Sequence, residues 1–348
     1  MKKVLITGVT GQDGAYLSKF LLEKGYKVYG MYRRTANPNF WRLQSLNCLN
    51  KINFIPADLS DASSILEAIK ISEPDEIYNL GAQSFVEASF AQPLTTADIN
   101  GLGLLRILEK VRQIKPDTKV YQASTSELYG DGKSGSLNEE TPFLPSSPYA
   151  SAKLFAYHTA LNYRKSYGIF VCNGILFNHE SPLRGLEFVT RKITNAVARI
   201  KLGLQNELKL GNLEAKRDWG YAPDFVECMW LMLQQDNPDD YVVATGESHS
   251  VKEFVEKAFE TLELNWNDYV KVDEKLVRPE DVMHLLGDPA KARKKLGWET
   301  KVKFEQLIKI MVEDDYNKWK AWLAGERFAW DAPYFPSDLN VISRTKKM

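Results

Sequence analysis

The chain has few cysteines, no excess of charge of either sign and no long apolar run. Its three cysteines, Cys48, Cys172 and Cys228, are odd in number, widely spaced and without a Cys-x-x-Cys pair, which excludes a disulfide framework and offers no zinc site. No metal is therefore expected. Forty-five basic residues balance 45 acidic ones, which argues against a nucleic-acid partner and leaves only local basic sites for phosphates. No stretch approaches the ~20 apolar residues of a membrane-spanning helix, so no membrane partner is expected. Met1-Lys2-Lys3 runs straight into Val4-Leu5-Ile6 and leaves no room for a signal peptide. With reduced thiols, this predicts a cytoplasmic location.

The composition is 44% hydrophobic and 26% charged over 348 residues, ordinary for a globular protein and long enough for two lobes. Short apolar runs (Val4–Ile6, Lys27–Met31, Ile52–Ile55, Glu76–Asn79, Lys119–Gln122 and Val171–Leu176) alternate with helical patterns. The fold class this predicts is α/β, a doubly wound parallel sheet with helices on both faces. After Phe177 the strand rhythm thins. Helix-like segments follow at Thr190–Leu202, Pro289–Leu296 and Phe304–Leu323, while helix Asp224–Gln235 and strand Tyr241–Ala244 read as a return to the first lobe. Beyond 323, aromatic residues among prolines and charges suit an extended strap over an apolar surface.

Gly8-x-x-Gly11-x-x-Gly14 follows the first strand and opens a helix. Glycines there permit a tight turn and let backbone amides approach a pyrophosphate at the helix N-terminus, so the first lobe reads as a Rossmann-type dinucleotide-binding domain. After the second strand, Tyr32-Arg33-Arg34 stands where an NAD enzyme usually offers a carboxylate. Two guanidiniums suit a 2′-phosphate and hence NADP, or else form a solvated basic loop. Asp58-Leu59 is placed to meet an adenine, though Asp58 would serve equally as a helix cap. Leu80-Gly81-Ala82-Gln83-Ser84 follows the fourth strand at the carboxyl edge, where ligands bind in open α/β sheets.

Tyr149 and Lys153 are four apart in Ser147-Pro148-Tyr149-Ala150-Ser151-Ala152-Lys153 and share one helix face, so the ammonium would lower the phenol's pKa from its usual value of about 10. Thr125 ends the fifth strand and could hold the hydroxyl that Tyr149 deprotonates. Glu127 has no task in simple alcohol oxidation and points to a second proton transfer.

The chain resembles the nucleotide-sugar-modifying extended short-chain dehydrogenase/reductases. Among them it is most similar to the GDP-mannose 4,6-dehydratase family. The segments that carry this are Gly8-Val9-Thr10-Gly11-Gln12-Asp13-Gly14, Gln122 to Gly130, Asn173 to Pro182, Phe188 to Ile193, Arg217-Asp218-Trp219-Gly220 and Leu286-Gly287-Asp288-Pro289. The resemblance implies catalysis by Thr125, Glu127, Tyr149 and Lys153, with Lys153 also on the nicotinamide ribose. It implies NADP contacts from the glycine segment (Gly8, Thr10, Gly11, Gln12, Asp13, Gly14), Arg33, Arg34, Asp58, Leu59, Leu80, Gly81, Ala82, Ser84, Thr95, His179 and Arg184. For a GDP-linked sugar it implies Ser84, Asn178, Lys192, Arg217, Arg278 and Asp281. Thr95 replaces a usual Tyr, and Asp281 a usual Glu.

The domains expected are an NADP-binding domain over 1–177, rejoined by 213–245; a smaller, interleaved α/β substrate lobe over 178–212 and 246–323; and a tail over 324–348. The loop 33–47 corresponds to a family interface, so a homo-oligomer, dimer or tetramer, is expected. The activity implied is C4 oxidation of GDP-mannose, loss of water across C5 and C6, and hydride return to C6. The rivals are the same dehydration of a GDP-manno-heptose, a 4-keto-sugar reductase or epimerase that would not need Glu127, and a non-enzymatic NADP sensor.

Overall fold

The computed structural model describes residues 1–131, 135–276 and 282–334. The first half alternates strand and helix as the apolar runs predict: β1 (Lys3–Thr7), α1 (Gln12–Glu23), β2 (Lys27–Tyr32), a short α2 (Trp41–Ser45), β3 (Asn53–Pro56), α3 (Ala62–Ser72) and β4 (Glu76–Asn79). The short helices α4 (Val86–Ala91) and α5 (Pro93–Ala97) lead to α6 (Gly103–Ile114), β5 (Lys119–Ala123), α7 (Pro148–Tyr167) and β6 (Val171–Leu176).

The second half is built of smaller pieces. These are β7 (Asn178–Glu180), α8 (Val189–Lys201), β8 (Leu208–Leu210), β9 (Lys216–Arg217), β10 (Trp219–Tyr221) and α9 (Ala222–Leu233). There follow β11 (Tyr241–Val243), β12 (His249–Ser250), α10 (Val251–Thr261), β13 (Val270–Val272), α11 (Ala290–Leu296) and α12 (Phe304–Leu323).

Seven strands form one sheet in the order β11-β6-β5-β4-β1-β2-β3, every pair parallel. The order reverses between β1 and β4, which opens a crevice at their carboxyl ends. Central strands, buried on both faces, carry short apolar runs, as in Val4-Leu5-Ile6, all at most 1% exposed. Leu5, Ile77 and Val120 face α3, α6 and α7, while Ile6, Tyr78 and Tyr121 face α1 and α9.

β11 and α9 join this first body although 64 residues separate Leu176 from Tyr241, because β11 hydrogen-bonds to β6 and α9 packs on α1. A separate apolar cluster ties α8, α10 and α12 together through Ile193, Val197, Phe254 and Phe304. Three two-stranded pairings, β7 with β10, β8 with β13 and β9 with β12, have too few residues each to leave a period in the sequence. Asp218 holds the crossing between the lobes, accepting from the amides of Thr245 and Gly246 at 2.9 and 3.0 Å.

The strap after α12 is packed as its aromatics suggest. Trp330 is 4% exposed and Ala332 fully buried, and Trp330 stands edge-on to Trp319, 5.0 Å between centroids.

Candidate active site

The glycine turn and the loop after β4 meet at the crevice. Gly8 has φ +66°, and a Cβ there would lie 2.8 Å from both Cα and N of Gly81; a Cβ on Gly14 would lie 2.4 Å from the Gly8 carbonyl oxygen. Only glycine permits this approach. The turn closes on the first turn of α1, where amides face outward. The fit to a dinucleotide pyrophosphate is thus a property of the backbone.

At the carboxyl end of β5, Thr125 caps a helical turn by accepting the Glu127 amide at 3.2 Å. α7 begins nearby, with Ser147 accepting from the Ala150 amide and Pro148 in the first turn. This places Tyr149 and Lys153 one helical turn apart, both buried. Tyr149 and Thr125 line the same cavity, and Lys153 Nζ donates to the Ala123 carbonyl at 2.9 Å. Thr125, Glu127, Tyr149 and Lys153 all line one cavity of about 420 Å³.

The electrostatics differ from the sequence expectation. Burial pushes the Tyr149 phenol up to about 12; the neighbouring Thr125 side chain opposes this and the Glu127 charge adds to it. Burial also pulls the Lys153 ammonium down to about 8, against the charge of Asp13. The Lys153 ammonium does not bring the phenol toward neutrality. Its bond goes to a carbonyl, it lies 5.9 Å from the Tyr149 ring centroid, and desolvation dominates both groups.

Leu80, Ala82, Ser84, Asp13, Asn178, His179, Arg184, Lys192 and Arg217 line the same cavity. His179 spends both ring nitrogens inside the protein, on the Phe177 carbonyl at 2.8 Å and on Asp13 Oδ2 at 2.9 Å. Burial works against its charged form, but Asp13 and the carbonyl prevail and raise its pKa. Gln12 joins this knot, donating to the His179 carbonyl at 3.1 Å and accepting from Ser181 Oγ at 2.7 Å. Asn178 Oδ1 and Ser124 Oγ are buried without a hydrogen-bond partner and both belong to cavity-lining residues, which leaves polar capacity for a ligand.

Other predicted residues stand outside the cavity wall. Arg33 and Arg34 are exposed just past β2. Asp58 accepts from the amide and hydroxyl of Ser60 at 2.9 and 2.7 Å, and the cap of α3 is Asp61 instead. Leu59 packs against Gly81. The Thr10 carbonyl accepts from Arg42 Nη1 at 3.4 Å. Thr95 is exposed on α5, while the buried hydroxyl beside it, Thr96, bonds its own helix. Arg278 and Asp281 lie outside the described residues.

Several groups near the cavity escaped the sequence reading. Arg42 donates from Nε to the Leu183 carbonyl at 2.7 Å, tying the glycine turn to the loop after β7. Arg191, fully buried, donates to Asp315 at 2.9 and 2.7 Å and to the Pro182 and Arg184 carbonyls at 2.6 and 3.0 Å. Glu180 accepts from Thr190 at 2.6 Å and pairs with Arg184 at 3.1 Å. An arginine on the apolar face of α8 was the one available signal, and its partner lies 124 residues away.

A glycine turn at the β1/β4 switch point and a Tyr–Lys pair on the helix after β5 define an extended short-chain dehydrogenase/reductase. The family model described as GDP-mannose 4,6 dehydratase matches residues 5–311. GDP-mannose 4,6 dehydratase 1 of Arabidopsis thaliana is 52% identical over 326 residues, covering 90% of each chain. The human GDP-mannose 4,6 dehydratase is 48% identical, covering 89% of this chain and 90% of its own. Among solved structures, dTDP-glucose 4,6-dehydratase from Bacillus anthracis in complex with NAD superposes with a TM-score of 0.80 at 25% identity, covering 92% of this chain and 98% of its own. The chain belongs to the GDP-mannose 4,6-dehydratase family. It is an enzyme, a hydro-lyase of nucleotide-sugar metabolism that works with a nicotinamide cofactor.

Proposed function

We infer that the cavity dehydrates GDP-mannose to GDP-4-dehydro-6-deoxy-D-mannose with NADP as resident cofactor. The observation that carries this is that Thr125, Glu127, Tyr149 and Lys153 line one cavity, since a simple reductase needs no Glu127. Gly8, Gly11 and Gly14 would seat the pyrophosphate, with Arg33 and Arg34 free to reach a 2′-phosphate. Lys153 would meet the nicotinamide ribose. When bound, the nicotinamide accepts a hydride from C4 and returns it to C6.

Tyr149 takes the proton of the C4 hydroxyl, and the Thr125 hydroxyl holds the oxygen that becomes the ketone. That ketone acidifies the C5 proton. Glu127 removes it and delivers a proton to the departing C6 hydroxyl, which leaves as water; once the hydride is back on C6, the proton taken by Tyr149 passes to C5, which completes the product and restores the base. Asn178, Lys192 and Arg217 would hold the sugar nucleotide.

Assembly as a dimer or tetramer is supported by the exposed Phe90, Leu94 and Phe155 and is checked by light scattering. No helix among the described residues is long and apolar enough to cross a membrane, and the three cysteines are free and buried, which supports a reducing cytoplasm. The test of function is mass spectrometry after incubating NADP-loaded protein with GDP-mannose and, in parallel, a GDP-manno-heptose. Loss of one water from GDP-mannose without net NADPH is expected; loss from the heptose alone would move the substrate, and loss from neither would overturn the reading.

A further inference from the structure

Three polar side chains stand in one row across the centre of the sheet. The register pairs Thr7 with Asn79 and Asn79 with Gln122. All three fall two residues after Leu5, Ile77 and Val120, and so point to the same face as those residues, the face covered by α7. Their exposures are 1%, 4% and 1%. The residues before them on this face, Leu5, Ile77 and Val120, are apolar and at most 1% exposed, and a buried amide costs free energy unless its bonds are met.

The bonds run in one direction. The Gly81 amide donates to Thr7 Oγ1 at 2.9 Å, and the Thr7 hydroxyl to Asn79 Oδ1 at 2.7 Å. Asn79 Nδ2 donates to Gln122 Oε1 at 2.7 Å, and Gln122 Nε2 to the Ala123 carbonyl at 2.9 Å. That carbonyl is the acceptor of Lys153 Nζ. The chain therefore links the loop after β4, on the cavity wall, to the ammonium on α7. Bonds aligned head to tail polarise one another.

We propose that Gln122, backed by Asn79 and Thr7, is a positioning residue that fixes the Lys153 ammonium by occupying the second lone pair of the Ala123 carbonyl. The proposal rests on the reading of Lys153 as the partner of Tyr149. A carbonyl oxygen has two lone pairs. With Gln122 on one, Lys153 is confined to the other and shares a carbonyl already engaged. The charged groups around it are few: Asp13 on α1 bears on Lys153, with His179 of β7 paired to Asp13. Tyr149 is on its own helix, and Glu127 acts on Tyr149.

The test follows Lys153 by NMR titration of isotope-labelled lysine in the NADP-loaded protein, beside the pH profile of kcat. Gln122→Met frees the carbonyl, so Lys153 should hold its proton to higher pH, and kcat should fall about tenfold, as one lost hydrogen bond implies, with KM for GDP-mannose unchanged. Gln122→Glu should move the titration further upward, and Thr7→Val less far in the same direction. The last two keep the test decisive if Gln122→Met does not fold. Folded variants that leave the Lys153 titration unmoved would overturn the proposal, whatever their stability. A wild type without dehydratase activity would instead sink the functional reading, and the NMR titration would still decide the inference.

Discussion

Two buried cations, Lys153 and Arg191, show how differently this fold treats charge. Arg191 is fully buried yet paired: Asp315 accepts from its Nε and Nη2, two carbonyls take both Nη1 donors, and Thr194 braces Asp315 at 2.7 Å. Although burial opposes its charge, Asp315 more than compensates and its pKa rises. Among the described residues, Lys153 hydrogen-bonds a neutral carbonyl and no carboxylate, and burial draws it down to about 8. One cation is compensated where α8 meets α12, behind residues that line the cavity; the other is left partly uncompensated on the cavity lining itself. A group held away from its ordinary titration beside a crevice is suited to chemistry, while a paired one is suited to holding loops.

The largest break in that comparison is Lys153→Met. It should lower kcat by about 10²- to 10⁴-fold while leaving the melting temperature unchanged or raised, because it removes a cation the fold does not compensate. Steady-state kinetics beside thermal unfolding checks both halves. Asp315→Ala should do the reverse, destabilising the protein by about 3–5 kcal/mol because Arg191 is left buried and unpaired. Urea unfolding reads this, and an Arg191→Met/Asp315→Leu pair should recover most of it.

Next comes pH. The folded-state pKa of Lys153 lies below its ordinary 10.5, so the folded protein releases this proton earlier than the unfolded chain. The resulting penalty is fully present below about pH 8 and is relieved as pH rises toward 10.5. Wild-type stability should therefore gain on that of Lys153→Met as pH rises: the variant's advantage shrinks across that window, by about a few kcal/mol at most. Denaturant midpoints at a series of pH values follow it. The smallest effect should be Asp331→Asn. This carboxylate stands 4.0 Å from Arg191 and is 21% exposed, and its loss should cost about 1 kcal/mol or less in the same urea assay.

What the sequence makes legible divides along similar lines. The parallel sheet is readable because each central strand is a short apolar run, and β4 and β6 begin and end where those runs do. The Tyr149–Lys153 spacing and Thr125–Glu127 are readable because they depend on local helix and strand geometry. The Arg191–Asp315 pair and the Thr7–Asn79–Gln122 row are not, since they join residues far apart in the chain through packing and register. The sense of the Tyr149 shift is hidden for another reason. Spacing shows that a lysine is near, but only the folded interior shows that its bond goes to the Ala123 carbonyl.

The central claim is that one cavity combines an oxidising pair with a separate eliminating carboxylate. Glu127→Gln, loaded with NADP and given GDP-mannose, tests it most directly by NADPH absorbance together with the mass of the sugar nucleotide. The account predicts that NADPH forms, up to one equivalent per site, with no loss of water. Water loss at the wild-type rate would contradict it.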